Sequence, residues 1–125
     1  MRKKILLVDD EVNLLELGVL RLEEEGYEVI TETDGEKVLD VLKKVKPDLM
    51  ILDLHLPKMS GYDIFDRMQN HTALAKIPVI FTSADANVGR IEAPFQGHVV
   101  GHLEKPWDGP TMAREIKKLL SFKPS

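Results

Sequence analysis

Cysteine is absent from the 125 residues of this sequence, and so is any long apolar run. Without cysteine there is no disulfide framework, no thiolate zinc site and no cysteine nucleophile. The first apolar run, Ile5–Val8, stops after four residues at an acidic pair. The core of a signal peptide needs about 7–15 apolar residues, and a membrane-spanning helix needs about 20. We therefore expect a soluble, cytoplasmic protein that does not insert into membranes.

A basic surface is also lacking. The net charge is −4, from 21 acidic and 17 basic residues. Because a general nucleic-acid-binding domain is normally basic, we expect no direct contact with nucleic acid. The length predicts a single domain over residues 1–125, with enough chain for a hydrophobic core.

Short apolar runs alternate with helical patterns along the chain. The runs predict five strands, at Ile5–Val8, Glu28–Thr31, the run Leu49–Leu52 that leads into Asp53, Pro78–Thr82 and His98–Leu103. Apolar strands joined by helical crossovers must be parallel, and right-handed crossovers place helices on both faces of the sheet. The predicted fold is therefore a doubly wound α/β domain. We expect the flavodoxin-like strand order 2-1-3-4-5, in which the order reverses between strands one and three.

Four regular helices are predicted from apolar residues at helical spacing. The first ends at Gly26, the second starts at Asp34, the third starts at Ser60 with Asp63 completing a capping box, and the last follows Trp107. Their apolar residues are Val12, Leu15, Val19 and Leu22; Val38, Leu39, Val41, Leu42 and Val45; Ile64, Phe65 and Met68; and Met112, Ile116, Leu119 and Leu120. Trp107 is expected to pack against the last helix.

Two connecting segments are less regular. We expect a loop from His71 to Ile77. The segment Asp85–Phe95 should hold the remaining helix, but it contains Gly89 and Pro94. Proline in a helix interior costs about 3 kcal/mol and glycine about 1 kcal/mol, so this helix is predicted to be short or distorted.

Charged and hydroxyl side chains stand where four of the predicted strands end: Asp9, Asp10, Asp53, Thr82 and Lys105. Because parallel strands end on the same edge of the sheet, these side chains should converge. A single acid after a strand is more often a turn cap, but three crowded carboxylates repel one another and suit a hard cation such as Mg²⁺. Thr82 and Lys105 supply a hydroxyl and a charge that can hold phosphoryl oxygens. Asp53 can be a nucleophile, since aspartate forms acyl phosphates.

Over its full length the chain resembles the receiver domain of a two-component response regulator. The resemblance rests on Val8-Asp9-Asp10-Glu11, on Asp53-Leu54-His55-Leu56-Pro57 followed by Gly61, on Thr82-Ser83-Ala84 and on Lys105-Pro106. It implies that Asp53 accepts a phosphoryl group from a partner histidine kinase or phosphotransfer protein. The phosphorylated domain would then change conformation and control a downstream protein.

The resemblance also implies a metal site. Asp10 and Asp53 would bind Mg²⁺ directly, together with the backbone carbonyl of His55, and Asp9 would act through water. The Lys105–Pro106 peptide bond is expected to be cis.

A further implication is a switch. In this family a threonine, here Thr82, moves to the phosphoryl group, and an aromatic ring three positions before the lysine rotates inward. Here that position holds His102, where the family usually has tyrosine or phenylalanine. We predict Thr82 and His102 as the switch pair, with a partly exposed edge-strand histidine as the alternative.

Three other classes share parts of the pattern. A haloacid-dehalogenase-like phosphatase also uses an aspartate nucleophile and Mg²⁺, but it has a second aspartate two residues on, where this chain has His55. A flavodoxin-like FMN carrier would need a hydroxyl- and glycine-rich phosphate loop where this chain has Asp9-Asp10-Glu11. A non-phosphorylated interaction module of the same fold is the third alternative, although all five site residues are present.

Overall fold

Five parallel strands form the centre of the computed structural model, which describes residues 2–84 and 100–121. They are β1 (Lys4–Val8), β2 (Glu28–Glu32), β3 (Leu49–Asp53), β4 (Val79–Ser83) and β5 (Val100–Glu104). Their order in the sheet is β2-β1-β3-β4-β5, and each neighbouring pair is parallel. The predicted fold class and strand order are confirmed.

Helices cover both faces of this sheet. Within the described residues they are α1 (Val12–Glu24), α2 (Val38–Val45), α3 (Gly61–Met68), α4 (Thr72–Ala75) and α5 (Gly109–Ser121), with a 3₁₀ turn at Gly35–Lys37 before α2. Helices α1 and α5 pack in one apolar cluster, and α2 and α3 pack in another. None of the described helices is long and apolar enough to span a membrane.

The apolar run of β3 is continuous because both faces of this strand are covered by helices. Successive side chains of a strand point to opposite faces. Leu49 and Ile51 pack in the cluster of α1 and α5, whereas Met50 and Leu52 pack in the cluster of α2 and α3. All four side chains are fully buried, so β3 lies between two helical layers and its last residue, Asp53, emerges at the carboxyl edge of the sheet.

The predicted helix ends are largely confirmed. The capping box of α3 is formed, because the Asp63 N–H donates to Ser60 Oγ at 3.2 Å and the Ser60 N–H donates to Asp63 Oδ2 at 3.4 Å. Helix α1 is followed by Gly26 at φ 91°. The Asp34 side chain accepts a hydrogen bond from the Glu36 N–H, which starts the 3₁₀ turn.

The apolar stripe predicted for α1 is only partly buried. Leu15 and Leu22 are buried, whereas Val12 is 59% exposed. Helix α1 begins at Val12, beyond the carboxyl end of β1. Its first turn therefore extends past the strands that cover the rest of the stripe.

The predicted loop at His71–Ile77 is also wrong, because it contains the single-turn helix α4. The His71 carbonyl accepts a hydrogen bond from the Ala75 N–H at 2.9 Å, and Leu74 is buried in the cluster of α2 and α3. That apolar contact favours a closed turn over an open loop.

Strand β5 lies at the edge of the sheet, as expected from its lower apolar content. The described strand runs from Val100 to Glu104, so the predicted start at His98 and the helix predicted in Asp85–Phe95 lie outside the described residues.

Candidate functional site

Three carboxylates lie together at the carboxyl edge of the sheet. Asp9 and Asp10 follow β1, and Asp53 ends β3, which is the neighbour of β1. One oxygen from each lies within 4.8 Å of the others. Asp9 and Asp53 are almost fully buried, at 0% and 1% exposure, whereas Asp10 is exposed. The structure thus brings together acids that are 44 positions apart in the chain, by the difference between 53 and 9.

Lys105 joins the two buried acids. Its Nζ lies 3.0 Å from Asp9 Oδ2 and 3.2 Å from Asp53 Oδ2, and its side chain is only 9% exposed. Glu11 Oε1 lies 3.6 Å from the same nitrogen. The sequence reasoning did not assign Glu11 to the site, although its place directly after the Asp9–Asp10 pair was a usable signal.

Each buried aspartate also caps the turn that follows it. Asp53 Oδ1 accepts a hydrogen bond from the His55 N–H at 3.0 Å, and Asp9 Oδ1 accepts one from the Glu11 N–H at 2.9 Å. The simple turn-cap interpretation of Asp53 is therefore correct for one of its oxygens. The other oxygen, Oδ2, faces Lys105. The side chain of His55 is exposed, so its described contact with the site is through the backbone.

Burial and neighbouring charges set the protonation of Asp9 and Lys105. Burial raises the pKa of the Asp9 carboxyl above its ordinary value of 3.8. The Asp53 charge adds to this, and the hydrogen bonds from Glu11 and Lys105 offset it only in part. Burial alone would lower the pKa of Lys105, but the hydrogen bond and charge of Asp9 and the charge of Asp53 leave that pKa raised above 10.5. Lys105 is therefore a cation at neutral pH.

Thr82 lies beside Asp53 in the sheet. The two residues are register partners on β4 and β3. Thr82 is fully buried, and its Oγ1 has no hydrogen-bond partner among the described residues. A buried hydroxyl without a partner is unfavourable by about 1–3 kcal/mol, so this oxygen is available to an incoming polar group.

His102 lies on β5, the strand next to β4, but it is not the register partner of Thr82. The register pairs His102 with Phe81, and it pairs Leu103 with Thr82. His102 is half-buried, and its Nε2 is buried with no hydrogen-bond partner in the described part of the chain. The predicted coupling between Thr82 and His102 stays a prediction.

Gly61 sets the distance between α3 and the site. A Cβ atom at this position would lie 2.7 Å from the carbonyl oxygen of Asp53 and 3.0 Å from the Cα of Leu54. The Gly61 N–H donates to the Leu54 carbonyl at 3.0 Å. Only glycine allows this approach without a backbone shift, and the approach holds the chain that leaves β3 against the start of α3.

The donor set of this edge suits a hard divalent cation. Its three acids supply carboxylate oxygens, and such cations prefer oxygen ligands. The exposed Asp10 leaves the cluster open to solvent. The three aspartates therefore fit a divalent cation that keeps part of its water shell.

Comparison with known proteins agrees with this geometry. A family model described as the response regulator receiver domain matches residues 5–117. The chain belongs to this receiver family. The cis Lys105–Pro106 bond expected from the family resemblance is present.

Two curated relatives illustrate the family membership of this receiver, and one solved structure illustrates its fold. It is 33% identical to the polar-differentiation response regulator DivK of Brucella anthropi over 122 residues, covering 96% of this chain and 98% of that protein. It is 34% identical over 120 residues to the DNA-binding dual master transcriptional regulator RpaA of Synechocystis, covering 94% of this chain. The receiver domain of the sensor histidine kinase PA1611 of Pseudomonas aeruginosa, solved with a magnesium ion in its active site cleft, shares the fold. Its TM-score is 0.85 at 23% identity, covering 98% of this chain and 100% of that one.

The match to RpaA covers 48% of that protein. The receiver therefore spans about half the length of several curated relatives that it matches, and nearly all of DivK.

The raised pKa of Asp9 predicts that Asp9→Asn stabilises the protein at pH 7 in metal-free buffer. The charged carboxylate is less favourable in the folded state than in the unfolded state, so stability is lost as pH rises through the range above 3.8. Asparagine removes this charge, so we expect the free energy of unfolding of the variant to exceed that of the wild type at pH 7. The measurement is urea unfolding of both proteins from pH 3 to pH 7.

Below about pH 3.8 the wild-type carboxyl is protonated in both states, so the two curves should converge there. Asp66→Asn, on the exposed face of α3, is the matched control and should change stability by less than about 0.5 kcal/mol. A variant at Asp9 that is less stable than wild type at pH 7 would show that the ion pair with Lys105 outweighs burial.

Proposed function

We propose that Asp53 of this receiver accepts a phosphoryl group from a histidine kinase or a phosphotransfer protein. The observation that carries the proposal is the bridge from Lys105 Nζ to Asp9 Oδ2 and Asp53 Oδ2 at 3.0 and 3.2 Å. It holds one oxygen of a buried carboxylate next to a largely buried cation, at the edge of a parallel sheet where ligands bind in this class of fold.

The proposed reaction is a direct transfer between two side chains. An oxygen of Asp53 forms a bond to phosphorus, while the bond from phosphorus to the histidine nitrogen of the donor breaks and its electron pair stays on that nitrogen. The product is an acyl phosphate. The phosphoryl oxygens would lie against the ammonium of Lys105 and the hydroxyl of Thr82, which has no hydrogen-bond partner among the described residues, and both would offset their negative charge.

Mg²⁺ is the proposed cofactor. Asp10 and Asp53 would bind it directly with the backbone carbonyl of His55, and Asp9 would act through water. When bound, the ion supplies positive charge that offsets the charges of the acids and of the phosphoryl oxygens. The support is the cluster of three carboxylates and its exposed member, Asp10. The PA1611 receiver domain, which shares the fold, holds magnesium in its cleft.

The proposed output is a change of contact with a downstream protein. Movement of Thr82 toward a phosphoryl group on Asp53 would open space next to β5, and His102 on that strand would respond. We propose that this occurs in the cytoplasm and that the receiver itself does not bind DNA, since its net charge is −4. RpaA binds DNA as a protein about twice as long.

Asp53→Asn should abolish labelling of the receiver by a small phosphodonor. Acetyl phosphate with Mg²⁺ should label the wild type, and the amide has no carboxylate oxygen to form an acyl phosphate. The measurement is the mass increase of the intact protein. Asp66→Asn should label like the wild type. Undiminished labelling of the Asp53 variant would assign the phosphoryl group to another residue, and steady release of phosphate from added phosphomonoesters would favour a phosphatase instead.

Mg²⁺ should raise the thermal stability of the wild type and raise it less for Asp10→Asn. A ligand that binds only the folded state stabilises it by mass action, about 2.7 kcal/mol at a hundredfold excess over Kd. Loss of one direct carboxylate ligand weakens binding and reduces this gain. The measurement is Tm against Mg²⁺ concentration at constant ionic strength, with Asp66→Asn as the control. An equal rise for Asp10→Asn and wild type would remove Asp10 from the ligand set.

A further inference from the structure

We propose that Trp107 is a positioning residue that holds Lys105 over the two buried aspartates. This inference rests on the proposed phosphotransfer to Asp53. Trp107 follows Lys105 by two residues, with only the exposed Pro106 between them. Two residues of chain span at most about 7 Å, so a displacement of the indole is transmitted to the backbone that carries the lysine.

The indole is fixed by steric contact. Trp107 is 3% exposed and lies in the apolar cluster of α1 and α5. A Cβ atom on Gly18 of α1 would overlap the indole at Cζ3, lie 3.0 Å from its Cε3 and lie 2.8 Å from a methyl group of Leu7. The indole Nε1 is buried without a hydrogen-bond partner among the described residues. Shape, rather than a polar contact, therefore sets the position of the ring.

Gly18 is a helix residue whose lack of a side chain permits this contact. Glycine is unfavourable inside a helix relative to alanine, because it loses more backbone entropy on folding. Gly18 stands in the middle of α1 (Val12–Glu24) and is buried. Its missing side chain is what allows the six-membered part of the indole to reach the helix.

The turn is also pinned at its other end. The Lys105 N–H donates to the Ser83 carbonyl at 3.0 Å. The Lys105 side chain is only 9% exposed, and its ammonium reaches Asp9 and Asp53 from this backbone position, so a shift of the backbone would move the ammonium or strain the confined side chain. Ser83 and Gly18 thus fix the two sides of the Lys105–Trp107 turn.

The test is a pair of substitutions at Gly18 and Trp107. Gly18→Ala should displace the indole and slow labelling by acetyl phosphate at saturating donor by about tenfold, since small displacements of a positioned group lower rates strongly. In Gly18→Ala/Trp107→Phe the smaller ring leaves room for the added methyl group, and the rate should return to within about threefold of wild type. Indole fluorescence reports the displacement independently, because the chain has one tryptophan.

Ile116→Val is the matched control. It removes one methylene from the same apolar cluster, at a fully buried position in α5, so it should lower Tm and leave the labelling rate unchanged. A merely structural role for Trp107 would give the same result for Gly18→Ala. The inference is overturned if Gly18→Ala shifts the fluorescence but labels at the wild-type rate, or if the double variant fails to recover.

If Gly18→Ala does not fold or leaves the fluorescence unchanged, Trp107→Leu carries the same test. It should label about tenfold more slowly than Trp107→Phe, and equal rates for these two variants would overturn the inference. A wild type that takes no label at Asp53 would instead remove the proposed function itself. Labelled wild type with equal rates in all variants would remove only the positioning role.

Discussion

The site depends on the ion pairs that one largely buried lysine forms with two buried carboxylates. Asp9 and Asp53 are almost without contact with water, and charges in that position are unfavourable unless they are paired. Lys105 pairs with both. The raised pKa of Asp9 shows that this pairing offsets only part of the burial. Additional positive charge, or loss of a negative one, is therefore favourable at this edge of the sheet.

The strands and the contacts beside them position these three side chains. The apolar strands β1 and β3 place the two acids side by side, and β4 adds the hydroxyl of Thr82 at the same level as Asp53. Close contacts at two glycines then fix the loops that leave the strands. Gly61 holds the segment after Asp53, and Gly18 admits the indole of Trp107 beneath the turn of Lys105. A site that needs sub-ångström placement is built on strand ends and supported by close packing.

Much of this arrangement could be predicted from the sequence, because parallel strands must end on one edge. The parallel sheet and the meeting of Asp9, Asp10 and Asp53 at its edge follow from the apolar runs and from the acids that terminate them. Helical spacing could not show that α1 extends past the sheet and exposes Val12. Helix α4 was missed because a four-residue turn leaves no periodic pattern and depends on a tertiary contact of Leu74.

The contact between Gly18 and Trp107 was beyond prediction for a different reason. The two residues lie far apart in the chain, and nothing in their local sequence indicates that an indole packs on a glycine. Trp107 was expected to pack against the last helix, and it does lie in the same cluster as Met112 of α5. Its contact with α1 is a property of how the two helices share one face of the sheet.

The most direct test of the central claim, that this edge of the sheet forms an acyl phosphate on Asp53, is chemical identification of the labelled residue. After reaction with acetyl phosphate and Mg²⁺, borohydride reduces an aspartyl phosphate to homoserine, which peptide mass spectrometry locates. We expect conversion at position 53 and at no other aspartate. Conversion at Asp9 or Asp10, or a label on histidine without any homoserine, would contradict the claim.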